Sequence, residues 1–262
     1  MSLAPVQVKP ISQLTSGQNW RLALAHDRPD HVILWITRGQ GRLLLNGTRR
    51  GVGAHNALII PPHTLFALEL GRQGTGMAAL IPDGTDIRLP VGPRQLRIRG
   101  VDSISELTGI FDAAYRETTQ GRTLAQDAID AHMALMSVWV RRQMARPEHL
   151  PVSMNAAARL SARFCERVVQ HHWDGSTMAD HAEALGVTAT HLTRACKAAT
   201  GRTAADLLTE RILYAARVAL IETSIPAQDI ARHLGFGSAA YFTRFMQQHT
   251  GQTPTALRKA GR

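Results

Sequence analysis

The chain has 262 residues, 44% of them apolar, and a formal net charge of +10. That length builds one large domain or two modest ones. No run of about 18 apolar residues occurs, so no membrane span is expected. Met1–Pro10 lacks a basic patch followed by an apolar stretch, so no signal peptide is expected. The two cysteines, Cys165 and Cys196, lack CxxC spacing, which argues against a disulfide framework or a Cys-based zinc site and fits a reducing cytoplasm.

A basic balance suits a polyanionic partner such as DNA. The charge is not concentrated in one half, however. Residues 155–262 hold 13 Lys+Arg against 8 Asp+Glu, and the first 154 hold 17 against 12. It is concentrated at the end: Ile230–Arg262 carries five Lys+Arg and no acid.

Residues 1–100 read as β. His31–Arg38 is rich in β-branched and aromatic residues and is followed by Gly39-Gln40-Gly41. Arg42–Leu45 leads into Asn46-Gly47, a strong hairpin signal. Ala57–Ile60 runs into Pro61-Pro62, and Leu65–Leu70 and Met77–Ile81 complete a series of short strands, as in a small barrel or sandwich. Alternation in the first strand sets His31, Ile33, Trp35 and Thr37 on one face and Val32, Leu34, Ile36 and Arg38 on the other, and leaves open which row faces the lumen.

Residues 102–146 switch to helical periodicity, with Ile104, Leu107, Ile110, Phe111 and Ala114 in one segment and Ile129, Met133, Met136 and Val140 in the next. These helices are expected to pack on the β domain or on a second subunit. Pro147–Ser153 carries two prolines and reads as a linker. Beyond it the chain is helical throughout. Leu160, Phe164 and Val168 form an apolar stripe, and Thr203–Glu222 forms a long helix with Leu208, Ile212, Ala215 and Ala219 on one face.

Two segments share a pattern, Met178–Gly201 and Gln228–Gly251. In each, a short helix closes on Leu-Gly (Leu185-Gly186, Leu234-Gly235), where glycine accepts a positive φ. Thr188 or Ser238 is placed to cap the next helix. Leu192 and Phe242 are expected in the core, and Arg194 and Arg244, two positions later, outward. A helix, a glycine turn and a second helix with an exposed polar face is the helix-turn-helix plan, here twice, joined by one long helix.

The stretch with Ile230-Ala231, Gly235-Phe236, Ser238, Tyr241-Phe242, Arg244-Phe245, Gly251, Thr253-Pro254 and Arg258 closely resembles the signature of AraC/XylS-type transcriptional regulators. Leu185-Gly186-Val187, His191-Leu192-Thr193-Arg194 and Gly201 resemble that family's first helix-turn-helix, and Arg211, Ala215 and Leu220 its linker helix. Cys196 and Leu257 depart from the pattern, standing where Phe and an aromatic are usual. The resemblance implies two reading helices in successive major-groove segments of double-stranded DNA. Carried over by position, the base contacts are Thr190, Thr193 and Arg194 in the first helix and Ala239, Ala240, Thr243 and Arg244 in the second. Arg can grip guanine with two hydrogen bonds, and Ala and Thr methyls can touch a thymine methyl. Arg202, Arg258 and Lys259 are candidates for phosphate contacts.

Trp35, Gly39, Gly41, Asn46-Gly47 and Ile60-Pro61-Pro62 are similar to the cupin-type barrel that often precedes this DNA-binding module. Metal-binding cupins need a His-x-His pair, a Glu and a further His. Here no His-x-His occurs in the strands, Phe66 stands at the last position, and His63 is displaced into the turn, so no catalytic metal or other cofactor is expected. His26, His31, His55 and His63 are expected as surface or structural residues. Trp35, Phe66 and Met77 are candidate walls of an effector pocket, with plain core as the alternative. Cys165 and Cys196 are expected as small buried hydrophobes.

The reading is therefore an α+β multidomain chain: a cupin-like sensor barrel at 1–100, two flanking helices for dimerisation at 101–147, a linker at 148–154 and an all-α double helix-turn-helix domain at 155–262. It is expected to be a cytoplasmic, homodimeric transcriptional regulator, an activator more often than a repressor, with a small-molecule effector and RNA polymerase as further partners and no enzymatic activity. Two alternatives stand beside it: a cupin-type metal enzyme with an accessory helical domain, and a regulator that answers to a protein partner.

Overall fold

The computed structural model describes residues 4–150 and 153–261. The first part builds β1 (Gln7–Pro10), α1 (Ile11–Thr15), α2 (Trp20–Ala23), β2 (Asp30–Arg38), β3 (Gln40–Leu45), β4 (Thr48–Gly53), β5 (Asn56–Ile60), β6 (Phe66–Leu70), β7 (Thr75–Pro82) and β8 (Arg94–Arg97). The strands form two antiparallel sheets, ordered β1-β7-β2-β5-β8 and β4-β3-β6. Asn46 and Gly47 both take positive φ, 41° and 73°, and Leu45 pairs directly with Thr48, as a two-residue hairpin turn requires. The short elements β1, α1, α2 and β8 escaped the sequence pattern because four or five residues show neither period.

The alternation along β2 is now resolved. Val32, Leu34 and Ile36 meet Leu43, Leu45, Leu58, Phe66 and Leu68 between the two sheets. Ile33 and Trp35 turn the other way, into a core with Ala57, Ile59 and Ala79 that is covered by α3 (Val101–Gln120) and α4 (Ala125–Met144). Leu107, Phe111, Ala114, Met133, Met136 and Val140 line that helical cover. The two helices thus spend their main apolar faces on their own barrel. A 3₁₀ turn at Pro147–His149 occupies the start of the expected linker, and residues 151–152 of that linker lie outside the described residues.

The second part is α5 (Ala156–His171), α6 (Met178–Ala184), α7 (Ala189–Thr200), α8 (Ala204–Glu222), α9 (Ala227–His233), α10 (Ala239–Thr250) and α11 (Pro254–Ala260). The boundaries follow local chemistry. Side-chain oxygens of Asn155, Thr177, Thr188, Thr203, Ser238 and Thr253 each accept the backbone N–H three residues on. Thr177–Asp180 and Thr203–Asp206 are full capping boxes. Both helix-turn-helix turns are Schellman closures: Val187 N–H reaches Ala182 O and Phe236 N–H reaches Ala231 O, each at 3.0 Å.

Each unit has its own core. The first gathers Leu160, Phe164, Val168, Leu192 and Cys196, and the second Ile230, Leu234, Phe242, Met246 and Leu257. Cys196 and Leu257, where the family favours aromatics, are buried, and both cysteines are free thiols. Burial pushes the Cys165 thiol up and the Cys196 thiol up to about 11. Helix α8 serves both cores, giving Ala204 and Leu207 to the first and Leu213, Ala216 and Leu220 to the second. The expected single stripe of Leu208, Ile212, Ala215 and Ala219 is only half-buried. A helix covered on several sides has no one apolar face for periodicity to find.

The two turn glycines differ in their surroundings. Gly186 (φ +70°) has open space where a Cβ would stand, whereas at Gly235 (φ +75°) a Cβ would lie 2.5 Å from Gly175 N and 2.8 Å from Gly175 Cα. Gly186→Ala is expected to cost about 1–2 kcal/mol, the left-handed penalty alone. Gly235→Ala should cost clearly more, because it also wedges the two units apart. Denaturant midpoints of the two variants give the comparison, and equal losses would remove this contact as a spacer.

Candidate nucleic-acid interface

Helices α7 and α10 present the same face. Leu192 and Phe242 are buried, Thr193 and Thr243 half-buried, and Arg194 and Arg244 exposed. Thr190, Ala239 and Ala240 are also exposed. Among the described residues neither Arg194 nor Arg244 makes an ion pair. Thr243 Oγ1 donates back to Ala239 O at 2.9 Å, leaving its methyl as the free group.

Two of the three phosphate candidates also have partners within the protein. Arg202 pairs with Glu69 and with Glu210, each at 2.8 Å. Arg258 donates through Nε to Leu220 O at 3.1 Å and through Nη2 to Ile225 O. Only Lys259 stays exposed without such a partner among the described residues. These contacts occupy two of the five N–H donors of each guanidinium.

The partners of Arg202 belong to a larger contact that local sequence gave no sign of. The outer face of the three-stranded sheet and the segment 20–27 grip α8 and the first unit. Ala25, Leu44, Leu65 and Ala67 complete the first helical core. Arg21 pairs with Glu222, the Ala25 N–H donates to Glu210 at 3.0 Å, and Arg211 Nε donates to Asp27 at 2.6 Å. The side chains of Asp27 and Arg211 are 9% and 11% exposed. Trp20 meets Tyr214 edge-on and carries the Arg217 guanidinium 4.2 Å from its ring centre. His26 stacks on Tyr214, with 4.3 Å between centroids and 12° between planes, and meets Phe66 at a tilt, also at 4.3 Å. Pairs such as Arg211 and Asp27 are 184 residues apart in sequence, beyond any periodicity window.

The three pocket candidates lie in two different cores. Phe66 faces the space between the sheets, which is filled by aliphatic side chains. Trp35 and Met77 lie with the core under α3 and α4, and Trp35 Nε1 donates to Thr108 Oγ1 at 3.1 Å. The strand alternation separates them. Of the N-terminal histidines, His26 is fully buried, His55 stacks on Trp35, His31 lies 3.9 Å from Asp83, and His63 lies 3.5 Å from Asp27. Among the described residues no three His, Cys, Asp or Glu side chains converge as a metal site would need.

Residues 181–260 match the family described as helix-turn-helix domain, and residues 14–86 match the AraC-like ligand binding domain. The chain belongs to the AraC-type DNA-binding transcriptional regulators. The first match spans α7 and α10 of the regulator, and the second spans β2–β7 together with the gripping segment 20–27. No curated protein matches the chain closely enough to serve as a relative. Solved structures similar to the regulator include the following three. Unsaturated fatty acid bound ToxT from Vibrio cholerae is 12% identical over 98% of this chain and 96% of its own, with a TM-score of 0.44. The C-terminal domain of AraT, a response regulator from Geobacillus stearothermophilus, is 23% identical over 42% and 88%, with a TM-score of 0.38. A DNA-binding transcriptional dual regulator from Escherichia coli K-12 is 20% identical over 43% and 96%, with a TM-score of 0.36. No helix of the regulator, among its described residues, is long and apolar enough to cross a membrane.

Burial holds His26 down to about 3 and His172 down to about 4. The Nδ1–H of His26 donates to Leu24 O at 2.8 Å, and its Nε2 is buried without a partner. Both rings stay neutral in the fold while the unfolded chain takes up protons below its ordinary value of 6.5. The unfolded state then binds more protons, so stability falls as pH drops from about 6.5 toward 4. Melting temperatures at pH 7.5 and 5 should differ, and His26→Phe should narrow the gap. A flat profile in the parent protein would contradict the buried neutral rings.

Proposed function

We propose that the regulator lays α7 and α10 into successive major-groove segments on one face of a duplex. Arg194 and Arg244 take guanine edges, while Thr190, Thr193, Ala239, Ala240 and Thr243 supply hydroxyl and methyl contacts. The observation that carries this reading is the duplicated face, with an inward Leu192 or Phe242 and an outward, unpaired Arg194 or Arg244 at one register. Lys259 serves as a phosphate ligand, and the acid-free tail beside it favours that role.

In this reading residues 1–100 form the sensor, 101–147 the dimerisation helices and 155–262 the DNA-binding domain, with 148–154 as the connection. A small-molecule effector acts on the barrel, and the contact of Phe66 with His26, and of His26 with Tyr214, offers a route from the lumen to α8. Two copies associate through the outer face of the α3–α4 hairpin, where Leu135 is exposed beside Ile110 and Ala113. The regulator works in the cytoplasm, with RNA polymerase as a partner and without chemistry of its own.

Arg244→Ala is expected to cost about 1–3 kcal/mol of binding to the preferred site and to relax preference at one base position. Affinity of the parent protein should fall steeply with salt as phosphate contacts release counterions. Selection of bound sequences with both proteins, followed by titration at several salt concentrations, gives both readouts. Unchanged affinity and unchanged base preference in the variant would refute the reader assignment.

A further inference from the structure

We infer that the barrel itself contributes to the DNA interface: Arg49, on the β3–β4 hairpin, and Lys197, on α7, hold backbone phosphates beside the groove that α7 reads. The inference rests on the proposed reading of DNA by α7.

Three observations place Arg49 there. The first is position. The hairpin turn sits directly on the DNA-binding domain, since a Cβ at Gly47 would fall 2.6 Å from Ala162 N. Two residues further on, the Arg49 guanidinium lies over Gly201, the residue that closes α7. A Cβ on Gly201 would stand 3.3 Å from Arg49 Nη1. The second is continuity. Arg49, Gly51 and Lys197 line one open surface depression with Ala198, Ala199 and Thr200. Lys197 follows Thr193 by four residues and Arg194 by three, so it continues the reading face down the helix. The third is charge. The neighbouring cations at this domain contact, Arg21, Arg202 and Arg211, are each paired with a carboxylate, but among the described residues Arg49 and Lys197 have no acid within ion-pair distance. Asp206, the acid on the adjoining turn, is held by the Thr203 capping box, accepting the Thr203 N–H at 2.8 Å. Glu69 is occupied by Arg202.

Helical rise puts Gly201 about 16 Å beyond Thr190. A major groove is about 12 Å wide. A helix that meets base edges with Thr190, Thr193 and Arg194 therefore brings its far end out over the phosphate rim, which is where Arg49 and Lys197 stand. Phosphate contacts of this kind set register and add affinity without choosing sequence.

The next strand residue supplies a control. Arg50 projects to the opposite face of β4, where Arg94 is its charged neighbour. Full-length protein carrying Arg49→Gln should bind roughly three- to tenfold more weakly at moderate salt, by the same factor on preferred and scrambled duplexes, with the salt slope reduced by about one. Arg49→Glu should deepen the loss, and Arg50→Gln should leave binding as it was. Circular dichroism melts confirm that each variant folds. Affinity and salt slope unchanged in Arg49→Gln would overturn the inference. So would a loss confined to the preferred sequence, or a loss only of thermal stabilisation by inorganic phosphate, which would mark a free-anion site instead. Arg194→Ala, run alongside, separates the two levels: if it too has no effect, the reading by α7 fails; if it alone weakens binding, only the role of Arg49 fails.

Discussion

The arrangement of the whole molecule turns on α8. Its flanks close the cores of both helix-turn-helix units, and a third face carries Glu210, Arg211, Tyr214 and Arg217 against the barrel. The contact between Asp27 and Arg211 is nearly buried. Such a pair adds little net stability over apolar packing, but leaving one partner alone is costly. Its effect is to specify one docking pose. Because α8 also fixes the distance between α7 and α10, the pose of the barrel and the spacing of the reading helices are set on the same element.

The C-terminal half was legible because its rules are local. A cap, a Schellman glycine and a buried residue two positions before an exposed arginine all fall within one turn or two of helix, and each stands where the pattern put it. The barrel strands were legible for the same reason, through alternation and the Asn46-Gly47 turn. What could not be read was everything decided by a distant partner. Arg202 looks like any free basic residue until Glu69, 133 residues away, is seen against it. Arg258 donates to carbonyls at and just beyond the end of α8, 38 and 33 residues away. Burial on several sides erased the apolar stripe of α8. Alternation left open which row of β2 faces the lumen: Trp35 lies under α3 and α4, and Phe66 between the two sheets.

The barrel interior bears on how an effector could act. The space between the sheets is occupied by Val32, Leu34, Ile36, Leu43, Leu58 and Phe66, all almost wholly buried. In a close-packed interior a small ligand gains entry only by displacing such groups. Phe66 is the one of these that also touches the α8 contact, through His26. In the proposed scheme, binding that moves Phe66 therefore costs the stack of His26 on Tyr214, and differential contact of that kind is what a ligand needs to shift a conformational equilibrium.

The two reading units are unequal in this respect. The core of the first is completed by Ala25, Leu44, Leu65 and Ala67 of the barrel, whereas the core of the second takes from it only the partly buried Leu24. Any change in the barrel thus reaches α7 through shared packing, and α10 chiefly through α8 and the Gly175–Gly235 contact. The second unit also lies, beyond Asp229, in the acid-free tail and keeps Lys259 exposed. In the proposed scheme it is the constitutive anchor on the duplex, and the first is the unit whose placement the sensor controls. Arg49 belongs with the first: a phosphate contact carried by the barrel exists only while the barrel is docked, so affinity at the first half-site would report the docking state directly.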